Sequence, residues 1–281
     1  MSTSPAHLLP SAGGFDLTAK PPPVRDLVRD VWRSRSLLAI LARKDFFVKY
    51  RRASFGMLWA VGLPLIQAVV LSAVFSRILN NKAHDYPAYV FSGLVPWSFF
   101  ASTLSQGSTA VVDNASLSNK IYFPRAILPL VSVVSSLYGM VVSLAILIVM
   151  CLGFGVHLTW HVVFLLPGVL LVAVLAASFA LVNSALHVYF RDIRYMVQAS
   201  LTVWIYLTPV IFQVQQLPAA LRPLIKLNPM TGVVELFRFA TVGGSPGWAT
   251  SLISTGVWTV VLVVVALQLH RRFDRVFADL L

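Results

Sequence analysis

The sequence predicts an all-α membrane protein with six transmembrane helices, and three observations carry that prediction. Hydrophobic residues make up 58% of the chain and charged residues only 11%, with a mean hydropathy of +0.80. A soluble domain is about one quarter charged; it cannot hide this much apolar surface, whereas lipid solvates it. Six runs lack Asp, Glu, Lys and Arg altogether: 53–76, 86–112, 126–156, 157–190, 195–221 and 239–270. Each exceeds the roughly 20 residues that cross a hydrocarbon core about 30 Å thick. The basic residues also sort by side. With an even number of spans and a cytosolic N-terminus, 17 of the 22 Lys and Arg fall on the cytosolic side, leaving Arg77, Lys82, Arg222, Lys226 and Arg238 outside. That asymmetry places both termini in the cytosol, so the net charge of +12 reflects topology and not nucleic-acid binding.

Residues 1–24 hold five of the 16 prolines and no long apolar stretch. They lack the order of a secretory leader and read as a disordered cytosolic tail. Over 25–52, Leu27, Val28, Val31 and Trp32 recur at helical spacing among Arg25, Arg29, Asp30 and Arg33, and Leu37, Leu38, Ile40, Leu41, Phe46 and Phe47 continue the apolar component. This predicts one or two N-terminal amphipathic interface helices. The transmembrane domain then occupies 53–275. Near His157–His161 there is no Lys or Arg, but Gly153, Gly155 and Trp160 mark a short interfacial turn. The i, i+4 spacing of the two histidines also fits a helical metal site; a polar turn is the simpler account. In 213–247, four prolines (218, 223, 229, 246) and four glycines (232, 243, 244, 247) interrupt short apolar pieces. A re-entrant outer helical hairpin between helices 5 and 6 is expected, with an extracytoplasmic loop carrying one interfacial helix as the alternative. Cys151, the single cysteine, lies in an apolar run and acts as a small apolar residue.

What is missing narrows the function. No Gly-Lys-Ser/Thr occurs, so no phosphate-cradling loop is present, and there is no His-Glu-x-x-His or Asp-x-Asp motif. Glu235 is the only glutamate, and Asp113 and Asp192 fall at expected cytosolic ends of spans. An ion-coupled carrier holds its ion on intramembrane acids. No metal site or cofactor is expected in this chain, and energy for uphill transport has to come from a partner.

Three stretches resemble the permease subunit of ABC-2-type exporters of polysaccharide, O-antigen and teichoic acid. The first runs from Leu41-Ala-Arg-Lys-Asp-Phe-Phe to Ser54-Phe-Gly-Met-Leu-Trp59, followed by Pro64-Leu65. The second is Tyr86-Pro-Ala-Tyr-Val-Phe-Ser-Gly-Leu-Val-Pro-Trp97 with Phe99-Phe100, continuing to Asn119-Lys-Ile-Tyr-Phe-Pro-Arg125 and Leu128-Pro129. The third combines Tyr189-Phe-Arg-Asp-Ile-Arg194, Leu207-Thr-Pro-Val210 and Leu227-Asn-Pro229. The similarity covers roughly 37–275 in order. It implies six spans, cytosolic termini, and a homodimer working with two ABC ATPase subunits that hold ATP and Mg. The implied location is the bacterial inner (cytoplasmic) membrane, and the implied substrate is an undecaprenyl-diphosphate-linked glycan.

The resemblance makes Asn114–Arg125 a coupling helix, with Asn119, Lys120, Tyr122, Phe123 and Arg125 docking on the ATPase; the alternative is a turn whose charges fix topology. Arg191, Asp192 and Arg194 are either a smaller second contact or ordinary juxtamembrane charges. Arg43, Lys44, Lys49, Arg51 and Arg52 form a basic cluster suited to the lipid diphosphate. The alternative there is general attraction to anionic membrane lipids, about 1 kcal/mol per residue. Trp97, Phe99, Phe100, Trp204 and Tyr206 are expected near the translocation path, where sugars slide over rings; helix packing or the interfacial aromatic belt is the simpler account of any one. Glu235 and Arg238, three apart, are expected to pair on one face of the outer hairpin. A rival reading, a membrane-embedded polyprenyl-phosphate glycosyl- or phosphotransferase, needs a general base or metal-binding carboxylates, and Asp45, Asp113 and Asp192 form no such motif.

Overall fold

The computed structural model describes residues 24–51, 56, 58–78, 85–115, 123–244 and 247–273. Among these the chain is all helical, without a strand. Helices α1 (Val24–Arg33) and α2 (Arg35–Arg51) meet at Ser34 and precede α3 (Leu58–Ile78), α4 (Tyr86–Gly107) and the short α5 (Ala110–Asp113). Then come α6 (Ile127–Gly153), a 3-10 turn (Trp160–Phe164), α7 (Leu165–Tyr189), α8 (Ile193–Leu207), α9 (Arg222–Leu227), α10 (Pro229–Thr241) and α11 (Trp248–Phe273). Apart from Val24, the tail 1–24 lies outside the described residues.

Among the described residues three stretches are long and apolar enough to cross a bilayer: Ile127–Gly153, Trp160–Tyr189 and Trp248–Arg271, with Gly62–Arg77 a shorter apolar helix. Helix α4 differs from them. It packs on α3, α6, α7, α8 and α10 and buries 15 of its 22 residues. A helix surrounded by protein has no need of a lipid-compatible face, so α4 accommodates Ser92, Trp97 and Thr103 inside the bundle. In lipid, helix association rests on close packing of small residues. Gly107 of α4 shows this: a Cβ there would come within 2.6 Å of the Ala180 Cβ on α7 and 2.7 Å of the Ser132 Oγ on α6. Gly232 of α10 lies similarly close to α11, where a Cβ would meet the Ser251 carbonyl oxygen at 2.5 Å.

At one end of the bundle α2 lies against α6, burying Ala42 and Phe46, with the Phe46 ring 5.4 Å from that of Tyr138. This end also carries α1, α5 and the start of α8 and is called the basic end below. The chain between α6 and α7 turns at Gly155, whose φ of +74° favours glycine. There Thr159 Oγ1 and His161 Nδ1 are 2.6 Å apart, and the His161 ring packs edge-on against Phe239 at 4.6 Å.

Three of the six charge-free runs thus carry a described helix long and apolar enough to span, and one of the others ends early. Over 195–221 the helix stops at Leu207; α8 has 15 residues and, at about 1.5 Å per residue, reaches about 22 Å. Pro209 explains the stop, because the residue before proline is driven out of the helical region, and Thr208 is extended at ψ 134°.

Candidate functional site

Beyond α8 the backbone of 208–213 is not helical, yet Thr208, Val210 and Ile211 are buried. Such backbone is tolerated at membrane depth only when its polar groups find partners within the protein. Three side chains supply them. Tyr86 Oη donates to the Ile211 carbonyl (2.8 Å), Tyr89 Oη to that of Phe212 (3.1 Å), and Arg238 Nη2 to that of Val210 (2.6 Å). Arg238 is 4% exposed, and its guanidinium carbon lies 3.7 Å from the Tyr89 ring centre. Glu235, 3% exposed, lies on the same helix; α10 buries 12 of its 13 residues.

Asn228 closes this arrangement. Its Nδ2 donates to the Leu207 carbonyl (3.0 Å) and Thr208 Oγ1 (3.1 Å), while its Oδ1 accepts from Trp204 Nε1 (2.9 Å) and the Met230 amide (3.0 Å). The same side chain thus caps α10, where Pro229 occupies the first turn, and ties it to the broken end of α8. Trp204 in turn sits in an aromatic nest: ring centres of Phe100 and Phe179 lie 5.3 and 5.5 Å away, and that of Trp97 6.5 Å. Within the single chain Trp97, Phe99 and Phe100 are buried and Trp204 half-buried, whereas Tyr206 is exposed. Phe179 is a member that sequence reasoning missed; nothing marks it among the apolar residues of its run.

At the basic end Arg194 Nη2 donates to Asp113 Oδ1 at 2.7 Å, joining the start of α8 to the end of α5. Both side chains are about half exposed, 53% for Arg194 and 48% for Asp113. One turn along α8, Ser105 Oγ of α4 lies 3.4 Å from Gln198 Oε1. These residues border a cleft of about 530 Å3 that also takes in Asp45, Gln106 and Asn114. Phe123, from the expected coupling segment, is buried with Val111, Ile127 and Leu128 against Val31, Leu37 and Leu38 of α1 and α2. Arg125 is half-buried at the turn into α6, and Arg191 and Asp192 are exposed. Asn119, Lys120, Tyr122 and Arg52 lie outside the described residues.

Of the basic cluster, Arg43, Lys44, Lys49 and Arg51 are exposed on α2, with Arg43 over the Phe47 ring at 5.8 Å. Lys49 reaches the mouth of a cleft of about 330 Å3 between α2, α3, α4 and α6, lined by Gln67, Ser98, Ser102, Ser135 and Ser136 among others. Partial desolvation there lowers the Lys49 ammonium pKa from its ordinary value, opposed by the Asp45 carboxylate. Among the described residues no group of three or more His, Cys, Asp or Glu converges as metal ligands. One Gly-x-Ser-x-Gly string does occur, Gly243–Gly247. It follows helix α10, whereas the hydrolase elbow of that spelling needs a preceding strand, and Ser245 lies outside the described residues.

The family described as ABC-2 type transporter matches residues 36–242. The chain belongs to this family. An O-antigen export system permease protein RfbA of Myxococcus xanthus is 28% identical over 255 residues, covering 90% of this chain and 98% of that one. An RfbA of Klebsiella pneumoniae is 25% identical over 87% of this chain and 95% of its own length, and the polysialic acid transport protein KpsM of Escherichia coli 23% over 81% and 90%. The match to named permeases runs along nearly the whole of each relative. The chain is therefore a permease subunit and not an enzyme, with the ATPase on a separate subunit.

Proposed function

We propose that this ABC-2 permease forms the transmembrane half of an ATP-driven exporter. The exporter moves a lipid-linked polysaccharide, carried on undecaprenyl diphosphate, from the cytosol across the bacterial inner membrane. The observation that carries this reading is the shared naming of relatives that match nearly end to end: one is named for O-antigen export and another for polysialic acid transport. Two features of the chain support it. The sequence holds no Gly-Lys-Ser/Thr nucleotide-binding motif, and its only glutamate, Glu235, is buried on the same helix as Arg238.

In this reading α3, α4, α6, α7, α8 and α11 are the six spans and both termini are cytosolic. The pieces α9 and α10 form the re-entrant outer hairpin, whose non-helical neighbours are the segments that Tyr86, Tyr89, Asn228 and Arg238 hold. Two copies assemble through the apolar faces that α3 and α8 leave exposed, among them Ile66, Val70, Val203 and Tyr206. Two ATPase subunits dock at the basic end against the segment 114–125. Arg43, Lys49, Arg51 and Arg52 attract the diphosphate beside the serine-lined cleft.

The test is reconstitution of the chain with its cognate ATPase in vesicles holding an undecaprenyl-diphosphate-linked glycan inside-out. ATP should drive the glycan into the lumen, and omission of either protein should stop it. Movement without the ATPase, or sugar transfer by the chain alone, would refute the proposal.

A further inference from the structure

A cavity of a different kind runs between α1 and the neighbouring ends of α6, α7 and α11. It is about 200 Å3 and almost wholly apolar, walled by Val28 and Trp32 of α1, Leu130 of α6, Leu181 of α7 and Leu267 of α11. The polar side chain beside it, His270, is 1% exposed and directs its Nε2 to the Leu181 carbonyl at 3.1 Å. The cavity shares no lining residue with the two clefts described above.

Helix α1 leaves Val28 54% and Trp32 68% exposed over this slot. Arg25 and Arg29 are exposed too and stand three or four positions from them, so the four side chains occupy one stripe of the helix. The Arg35 guanidinium carbon adds to the rim, 5.3 Å from the Trp32 ring centre. An apolar slot at the ends of three membrane-crossing helices therefore opens under a fringe of guanidinium groups. A slot that faces a bilayer is filled by hydrocarbon, and guanidinium forks match phosphate oxygens. The remaining polar contact, His270, is turned to backbone, so the slot offers nothing to a sugar.

We propose that this slot is a binding site for one anionic phospholipid, with an acyl chain between Trp32 and Leu181 and the phosphate against Arg25 and Arg29. The bound lipid fastens α1 to α6, α7 and α11. Because Val31 of the same helix packs in the cluster that holds Phe123, the lipid also sets where the expected coupling segment is anchored.

The proposal is tested on the purified full chain by native mass spectrometry with phosphatidylglycerol and phosphatidylcholine of identical acyl chains. One phosphatidylglycerol should be retained about tenfold over phosphatidylcholine, equivalent to about 1.4 kcal/mol. The double variant Arg25→Gln/Arg29→Gln, on exposed positions, should equalise the two lipids. Ala266 of α11 also lines the slot, and Ala266→Phe, which fills it, should release both. Equal retention by the unmodified chain, or a phosphatidylglycerol preference untouched by the arginine changes, overturns the proposal. So does higher lipid retention after deletion of residues 1–23, which would assign the slot to the chain's own tail, and so does displacement by equimolar undecaprenyl diphosphate. The readout needs no transport, so its failure is separate from failure of the exporter reading.

Discussion

The two ends of α8 are held in opposite ways. At its start, Arg194 meets Asp113 across a half-exposed ion pair, and a single long contact to Ser105 follows. At its finish, Asn228 makes four hydrogen bonds, and Tyr86, Tyr89 and Arg238 occupy three successive carbonyls of the broken backbone. Exposed ion pairs contribute little, whereas a buried polar group left without its partner costs its full desolvation. The contrast teaches that the far end of α8 is fixed by construction, whereas the basic end rests on a half-exposed pair that small rearrangements can remake.

Substitutions that strip the fixed end should have the largest effect. Arg238→Ala deprives Val210 of its donor next to a buried glutamate and should cost about 3 kcal/mol or more, read as loss of folded protein in a thermal size-exclusion assay. Asn228→Ala uncouples α8 from α10 and should cost about 2–3 kcal/mol in the same assay, with Asn228→Asp recovering part of it through the retained Trp204 and Met230 contacts. Gly232→Ala forces α10 away from Ser251 and should cost about 1–3 kcal/mol.

The smallest stability effect is expected at the basic end. Asp113→Ala should cost no more than about 1 kcal/mol. Export per ATP hydrolysed, measured in reconstituted vesicles, should nevertheless fall in Asp113→Arg and return in the charge swap Asp113→Arg/Arg194→Asp. A loss of stability in Asp113→Ala as large as that in Arg238→Ala would erase the comparison; an unrecovered swap would show that Arg194 serves another contact.

Much of this architecture could be read from the residues. Charge-free runs locate the helices because lipid admits few charges, and Pro218, Pro223, Pro229 and Pro246 mark the interrupted outer stretch because proline restricts what precedes it. The strings Leu207–Val210 and Leu227–Pro229 belong, with Tyr189–Arg194, to one stretch of the family resemblance, and in the structure two of them meet: Asn228 bonds Leu207 and Thr208 directly. Other features had no local signal. Tyr86 reaches a carbonyl 125 positions away and Arg194 an acid 81 positions away, so both depend on how the bundle closes. The end of α8 at Leu207 is likewise unmarked by hydropathy, because the apolar run outlasts the helix. Arg238 was visible as half of a pair with Glu235, but its partners Val210 and Tyr89 come from elsewhere in the fold.

The depth at which α4 is buried bears on how the protein is made. Unlike α6, α7 and α11, it is not among the described helices that are apolar enough to cross a membrane by composition alone, and its neighbours α6, α7, α8 and α10 are all synthesised after it. The packing that buries it is thus completed only when the C-terminal half has been made. A chain truncated before α6 would leave α4 with only α3 and α5 of the neighbours that bury its Ser92, Trp97 and Thr103.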